Sequence, residues 1–430
     1  MRGRGRGRFI DTRPLRDSRS FRDLWIGTSV SQLGGQMANV AVLAQVWELT
    51  GSPVGTGAIG LATGLPMVLF GLLGGTLADA VDRRTVVRAT TAGQLIAATG
   101  LCAQAVAGNR SVPLLLVLVA AGVSCGALGA PAWRTFPVRL LPGDQVAAGL
   151  ALTNVSFQAA MLAGPALAGL IIARWGFPAA YATQALAVAV STLTVIRLPS
   201  MRPEGTEAAG GRRRPERGGW RIVLRRPTLW GSMATDLSAT LLAMPIALFP
   251  LVNEVRFGGD PQTLGLFLSA VAVGGITAGL LSGTVTRWRR SGLVQLSAAC
   301  VWGLALGCFG LAGPLWPALG CLAVAGAADT VSVVTRSALV QWETPDAYRG
   351  RVSSVEHVIG VAGPELGNFR GGLVATATSA SFSLVLGGLS AVVAIAAVAA
   401  ANAPLRAYRT PPAAAKPTVR EVADAAAAAG

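Results

Sequence analysis

Charge is scarce in this chain. Asp, Glu, Lys and Arg make up 13% of its 430 residues, about half the share of an ordinary soluble globule, which excludes a charged surface over most of the molecule. Lysine is nearly missing, with Lys416 the single one. The phosphate-binding G-x-x-x-x-G-K-[ST] loop is missing with it, so the sequence offers no direct route for ATP to drive the protein. Histidine is represented by His357 alone, and a lone imidazole has no partners for a metal site, so neither metal nor other cofactor is expected. The five cysteines, Cys102, Cys125, Cys300, Cys308 and Cys321, form no C-x-x-C pair and fall inside apolar stretches. They read as small packing residues rather than a disulfide framework. Also missing is the apolar–polar alternation, about ten residues at a time, that a membrane β-barrel requires.

Apolar residues are abundant: 52% of the chain is hydrophobic and the mean hydropathy is +0.55. They form continuous runs of roughly 20 residues, the helical length that crosses a hydrocarbon core of about 30 Å. The expected spans are 24–48, 54–78, 86–107, 112–133, 148–173, 177–196, 228–253, 262–286, 292–312, 314–335, 352–376 and 381–402. The fold class is therefore all-α and polytopic, with twelve transmembrane helices. The first span is the most polar, with Ser29, Ser31, Gln32, Gln36, Asn39 and Gln45. Such groups are costly against lipid, so this helix is expected to line a polar cavity.

Basic residues fall in every second gap between the runs, except for Arg110, Arg174, Arg256 and Arg370. The asymmetry places both termini in the cytoplasm of a multi-pass plasma-membrane protein. It also accounts for the net charge of +16 without nucleic acid as a partner. The run Arg2, Arg4, Arg6 and Arg8 resembles an RNA-binding Arg-Gly segment, but it leads into a membrane helix and reads as a tail held near anionic lipid. No cleavable signal peptide is expected, because charged residues lead straight into a span too long and polar for one.

Residues 199–226 form the longest hydrophilic gap and leave six spans on either side. The expected organisation is a disordered basic cytoplasmic tail at 1–22, a six-helix bundle at 23–198, a cytoplasmic central loop at 199–226, a second bundle at 227–403 and a disordered cytoplasmic tail at 404–430. The halves repeat in the same direction. Arg134 and Ala163-Gly164-Pro165 recur about 200 residues later as Arg336 and Ala362-Gly363-Pro364, and Gly74 to Arg84 corresponds to Ala278 to Arg290. Parallel halves of this kind imply a substrate site between them near mid-membrane.

Two enzyme patterns occur in the wrong setting. Gly122-Val-Ser124-Cys-Gly126 has the spacing of a nucleophile elbow but lies within an apolar helix. Gly55-Thr-Gly57-Ala-Ile-Gly60 has the spacing of a dinucleotide loop but no strand before it. The chain is not expected to be an enzyme.

Buried ionisable groups are the sharpest functional signal, since a charge at membrane depth costs several kcal/mol and tends to face a cavity. They are Asp236, Asp329, Glu356, His357, Glu365 and Arg370. Asp236 and Glu365 are the leading candidates for carrying a proton or contacting substrate, with Glu356 behind them. Asp329 lies two turns from Arg336 on the same helical face, which suggests an ion pair near the cytoplasmic end; Arg134 is the repeat-related partner at that gate. Asp79, at a helix end, and Asp82, Arg83 and Arg84 beyond it can pair with each other or with a neighbouring helix terminus. Gly164, Pro165 and Gly169 predict a kinked, closely packed contact. Trp25, Trp47, Phe157, Met161, Met244, Phe249 and Phe267 are candidates for an apolar pocket.

Gly75-x-x-x-Asp79-x-x-Asp82-Arg83-Arg84 resembles the signature loop of the major facilitator superfamily, and Gly164-Pro165-x-x-x-Gly169 is similar to the helix-five motif of its proton-driven exporters. LTGSPVG from Leu49, LPMVLFGLLGGTLADAVDRR from Leu65, ADTVSVVTRSALVQWETPDAYRGRVSSV from Ala328 and PELGNFRGGLVA from Pro364 resemble the enterobactin-exporter-like branch. Gly363-Pro364 stands where that branch leads one to expect Ser-Asn, and Asn368 where an acidic residue is usual. The resemblance implies two pseudo-symmetric six-helix bundles, a conformational gate at the signature loop, and export of a hydrophobic or amphipathic small molecule (drug, siderophore or secondary metabolite) by alternating access in exchange for protons. One chain supplies both halves of the pathway, so a monomer suffices. The alternatives are an uncoupled or uptake carrier and a non-transporting sensor or scaffold.

Overall fold

The computed structural model describes residues 11–133, 135–196, 219–281, 290–344 and 348–409. Every long element among them is an α-helix. In chain order these are α1 (Arg19–Thr50), α2 (Pro53–Ala80), α3 (Arg83–Val106), α4 (Val112–Trp133), α5 (146–175), α6 (177–196), α7 (Pro227–Phe257), α8 (Pro261–Leu280), α9 (Ser291–Leu311), α10 (Leu315–Glu343), α11 (Arg349–Ala377) and α12 (Ala380–Ala401). Among the described residues, eight helical segments are long and apolar enough to cross a membrane. One of them, Val146–Ile196, has 51 residues, or about 77 Å of helix, enough for two crossings. It breaks at Gly176, whose φ of 74° belongs to the left-handed region that glycine enters without cost. The polar helices α1, α3 and α11 fill the remaining places.

Local signals fix the ends. The Ser18 hydroxyl accepts from the Phe21 N–H at 3.2 Å, Asp82 accepts from the Arg84 N–H at 2.9 Å, and Ser379 accepts from the Phe382 N–H at 3.1 Å. Each satisfies an amide that the first helical turn leaves without a partner. Pro53, Pro227 and Pro261 occupy first turns, where the missing N–H costs nothing. Inside α7, the chain leaves the helix at Met244 and Pro245 and resumes through the 3₁₀ turn Ile246–Leu248.

Packing repeats between the halves. In the first, α3 packs on α4 and α6, α2 packs on α4, and α1 packs along α5 and α6; in the second, α9 packs on α10 and α12, α8 packs on α10, and α7 packs along α11 and α12. Glycine lets these rods approach backbone to backbone. A Cβ at Gly74 would stand 2.6 Å from the Leu128 carbonyl oxygen between α2 and α4, and Gly326 abuts the Val271 carbonyl between the repeat-related pair α8 and α10. The result is the major facilitator architecture of two related bundles.

Across the seam, α2 packs on α11 and α5 on α8. The close approaches lie toward the end of the molecule away from the chain termini: Gly57 faces Asn368 and Phe369, Gly372 abuts the Pro53 carbonyl, and Gly169 faces Pro261. Nearer the termini the seam loosens, and a Cβ at Gly71 would stand 3.9 Å from His357 Nε2.

The sequence placed residues 13–17 and 404–407 in disordered tails, whereas Arg13–Asp17 and Ala403–Ala407 are short helices. The reason is apolar anchorage. Leu15 packs beside buried Phe21, and Leu405 is fully buried against Gly292. The central gap likewise contains the helix Gly219–Arg225, while 197–218 lie outside the described residues. The helices α1 and α10 run past the expected limits of 24–48 and 314–335, because a helix satisfies its own backbone on either side of a membrane boundary.

Candidate functional site

A cavity of about 480 Å³ occupies the seam between the bundles. The first bundle contributes Gln36 and Asn39 from α1 and Thr56 and Thr63 from α2; the second contributes Asp236, Asp329, Arg336, Glu365 and Asn368. The polar face of α1 thus reaches the cavity through Gln36 and Asn39. Gln45 turns into its own bundle, accepting from Tyr181 Oη at 2.7 Å and from Gln104 Nε2 at 3.0 Å.

The ionisable groups sit at two levels. At the lower level, seven residues or about 10 Å from the termini-bearing ends of α10 and α11, Arg336 forms ion pairs with Asp236 and, at 3.4 Å, with Glu356. Their side chains are 9%, 10% and 19% exposed, so little water screens them. Ser337 Oγ donates to Glu356 at 3.3 Å. The sequence paired Arg336 with Asp329; the direct partners are instead Asp236 and Glu356, on two other helices. Helix-face spacing could find the intrahelical neighbour, but only the bundle brings α7 and α11 alongside. Asp329 lines the cavity farther along α10, within electrostatic reach of Asp236 and Arg336.

At the upper level Glu365 lies against α2. A Cβ at Gly60 would stand 2.9 Å from Glu365 Oε2, while Thr63 and Asn368 are within hydrogen-bonding reach of the carboxylate. Asn368 also accepts from the Ala247 N–H at 3.1 Å, and Thr56 Oγ1 donates to the Ala247 carbonyl at 2.7 Å. These bonds tie α2 and α11 to the break in α7 and roof the cavity. Thr56, Thr63 and Ala247 were not singled out from the sequence, because a threonine in an apolar helix carries no signal until its partner is placed.

Arg370 does not enter this network. Its guanidinium donates to the Leu242 carbonyl, next to the end of the first α7 segment, where orphan carbonyls favour a cation. His357 borders Gly71 across the seam. Of the apolar candidates, Met161, Met244 and Phe249 line the cavity. Phe267 does not: it is fully buried, in edge-to-face contact with Phe249 and Phe309 at 5.6 and 5.4 Å. Trp25 packs beside Phe21 and Leu141, Phe157 is exposed, and Trp47 borders a different cavity. Trp302, absent from the sequence candidates, is a lining residue.

The helix-five residues pack on two sides. A Cβ at Gly164 would stand 2.5 Å from Gln36 Cβ, the Pro165 carbonyl abuts Gly265, and Gly169 faces Pro261. In the signature loop, Gly75 and Asp79 lie on the last turns of α2, and nothing is described of their side chains. Asp82 caps α3, partly buried Arg83 follows it, and Arg84 and Arg88 donate to the carbonyl of Ile196, the last residue of α6. Arg134 is outside the described residues.

The family model of transmembrane secretion effectors matches residues 11–424. The chain belongs to that family. It is therefore an integral membrane transporter of the major facilitator type, a carrier of small molecules and not an enzyme. It is 27% identical over 390 residues to the enterobactin exporter EntS of Citrobacter koseri, spanning 87% of this chain and 91% of that one. With the enterobactin exporter EntS of Shigella flexneri it shares 27% identity over 387 residues at the same coverage. Among solved structures, the nucleoside transporter NupG superposes with a TM-score of 0.71 at 13% identity, covering 89% of this chain and 98% of that one. A bacterial homologue of the iron transporter ferroportin does so with 0.68 at 14%, covering 90% and 99%. These two establish the shared fold of the transporter and nothing of its cargo.

Proposed function

We propose that this transporter exports a hydrophobic or amphipathic small molecule across the plasma membrane by alternating access, in exchange for protons, working as a monomer with both termini in the cytoplasm. The observation that carries the reading is a cavity roofed by inter-bundle contacts on the side away from the termini and holding three carboxylates, Asp236, Asp329 and Glu365, with Arg336. In this reading the conformation is the one open toward the cytoplasm. Bundles at 23–198 and 227–403 rock about the seam, and Gly164, Pro165 and Gly169 are the small surfaces on which α5 turns against α1 and α8.

The carboxylates give proton exchange a chemical basis. Asp236 and Glu356 share one cation, so a conformational step that moves Arg336 changes the partner of both carboxylates at once. Glu365 faces α2 across the seam beside Gly60 and Thr63, so opening the seam changes what stands next to its carboxylate. Asp79, with Asp82, Arg83 and Arg84, and the pair Arg134 and Arg336 are proposed to close the cytoplasmic end in the opposite state. Enterobactin, which the relatives are named for exporting, falls within the proposed class.

The test is transport by the purified protein in proteoliposomes under an imposed proton gradient, with ethidium and enterobactin as separate probes. Accumulation against a gradient of either probe is expected, collapsing with a protonophore, and Glu365→Gln is expected to keep downhill flux while losing accumulation. Flux insensitive to the proton gradient would make it an uncoupled carrier. Absence of flux, with no change in accessibility between the two faces, would make it a sensor or scaffold.

A further inference from the structure

A second cavity, of about 530 Å³, lies on the same seam at the end away from the termini. Its walls come from both halves: Trp47 and Glu48 at the end of α1, and Asn253, Glu254 and Gly259 around the end of α7. Glu48 and Glu254 are exposed, and neither has an ion-pair partner among the described residues. Asn253 behind them is 3% exposed. Its Nδ2 donates to the Asp260 carbonyl at 2.9 Å, which fixes the amide, while its buried Oδ1 has no partner. A buried amide oxygen without a donor is unfavourable, so the ground beneath the cavity is short of positive charge. Trp47 presents an indole, the aromatic surface that best attracts a cation, and Phe177, Pro250 and Leu264 make the rest apolar.

We infer that this outer cavity binds an organic ammonium ion with an apolar body, and that occupation holds the two bundles together at this end. The two carboxylates meet the charged head, the Asn253 oxygen adds negative potential beneath it, and Trp47 and the apolar walls take the body. Because the walls belong to different halves, the cavity exists as such only while this end of the seam is closed. A ligand that binds one conformation and not the other shifts the population toward the one it binds, so the cation acts as an inhibitor from the face opposite the termini. The inhibitory part rests on the alternating-access reading; the binding part does not.

The test is isothermal titration of the purified full-length chain in phosphatidylcholine nanodiscs with benzyltrimethylammonium. Saturable binding is expected, weakened roughly tenfold or more in Glu48→Gln/Glu254→Gln and reduced in Trp47→Leu, with Asp144→Asn, which removes an exposed carboxylate at the termini-bearing end, binding as the parent does. Glu48 and Glu254 are exposed, so their neutral variants are expected to fold. No saturable binding, parental affinity in the double variant, or loss of binding in Asp144→Asn would overturn the site, as would calcium ions binding through the same carboxylates where benzyltrimethylammonium does not. A second readout is maleimide labelling of Thr56→Cys, which saturating benzyltrimethylammonium is expected to slow. Undiminished labelling at full occupancy would overturn the holding role. A chain that binds the cation through Glu48 and Glu254 yet transports neither ethidium nor enterobactin would count against the exporter reading alone.

Discussion

The Glu365 side chain of α11 rests on the bare backbone of Gly64 in α2: a Cβ there would stand 2.7 Å from Glu365 Cβ and 2.8 Å from its Cγ. These are the stiff root of the side chain, not its movable end, so an added methyl cannot be absorbed by a rotamer change. Overpacking of this kind costs about 1–3 kcal/mol. The contact crosses the seam, so under alternating access that cost falls only on the conformation in which α2 and α11 are closed here. Gly64→Ala is expected to shift the equilibrium away from that conformation by roughly 5- to 150-fold, raising maleimide labelling of Thr56→Cys and lowering flux with little loss of expression. Unchanged labelling would show that α2 yields without moving off α11.

At the lower level of the cavity one cation serves several anions. Removing Arg336 leaves Asp236 and Glu356 unpaired and Asp329 nearby, and breaking a buried pair from one side costs about 3–5 kcal/mol. Arg336→Gln is expected to lower the thermal midpoint of the purified protein sharply, and Asp236→Asn less, because Glu356 still pairs with the arginine. In Arg336→Gln/Asp236→Asn part of the loss should return. A double variant whose midpoint falls by the sum of the singles would mean that the pair contributes no coupling energy.

The extent to which the sequence foretold this site differs between its parts. The helices were legible because a membrane span is a long continuous signal, and the halves were legible because the Gly-Pro pairs at 164–165 and 363–364 recur in the same direction. Asp236 and Glu365 stood out because charge at such depth is rare, and Arg336 because it recurs at the place that Arg134 holds in the first half. What could not be read was partnership. Arg336 was assigned to its own helix neighbour Asp329, since periodicity sees one helix at a time, whereas its partners come from α7 and α11. Phe267 was assigned to the pocket by composition, but an aromatic stack with Phe249 and Phe309 buries it, and no periodic pattern distinguishes those positions. The short helices at 13–17 and 403–407 were lost because one anchoring leucine in each, partly buried Leu15 and fully buried Leu405, is too small a signal against a polar flank.

The hydroxyl of Tyr181 offers a test of stability separated from transport. Tyr181 is fully buried and donates at 2.7 Å to Gln45, which exchanges hydrogen bonds with Gln104 inside the first bundle, away from the cavity. Tyr181→Phe removes the donor and leaves the ring packing intact, so it should cost about 1–2 kcal/mol. The expected result is a lower melting midpoint with normal flux per folded molecule. Reduced flux at full folding would place this network in the conformational cycle.

Arg256 makes the corresponding prediction for the second bundle. From the end of α7 its guanidinium reaches the Phe309 and Ala312 carbonyls at 3.2 and 2.7 Å, the Gly310 carbonyl, and Ser381 Oγ at 2.6 Å. Those carbonyls close α9, where the helical N–H groups run out and Phe309 keeps only a 3.3 Å bond from the Ala312 N–H, and a cation there also opposes the negative end of the helix dipole. Arg256→Met keeps much of the stem and removes the fork, leaving several acceptors short of a donor in a part-buried site. A loss of about 2–4 kcal/mol is expected from the charge-assisted bonds and the unsatisfied carbonyls together. Arg256→Lys should recover only part of it, because a point charge cannot span acceptors on both sides of the turn. Thermal melting of the two variants in detergent reads the difference, and equal midpoints for Lys and Met would show that the charge, rather than the fork geometry, contributes nothing at this helix end.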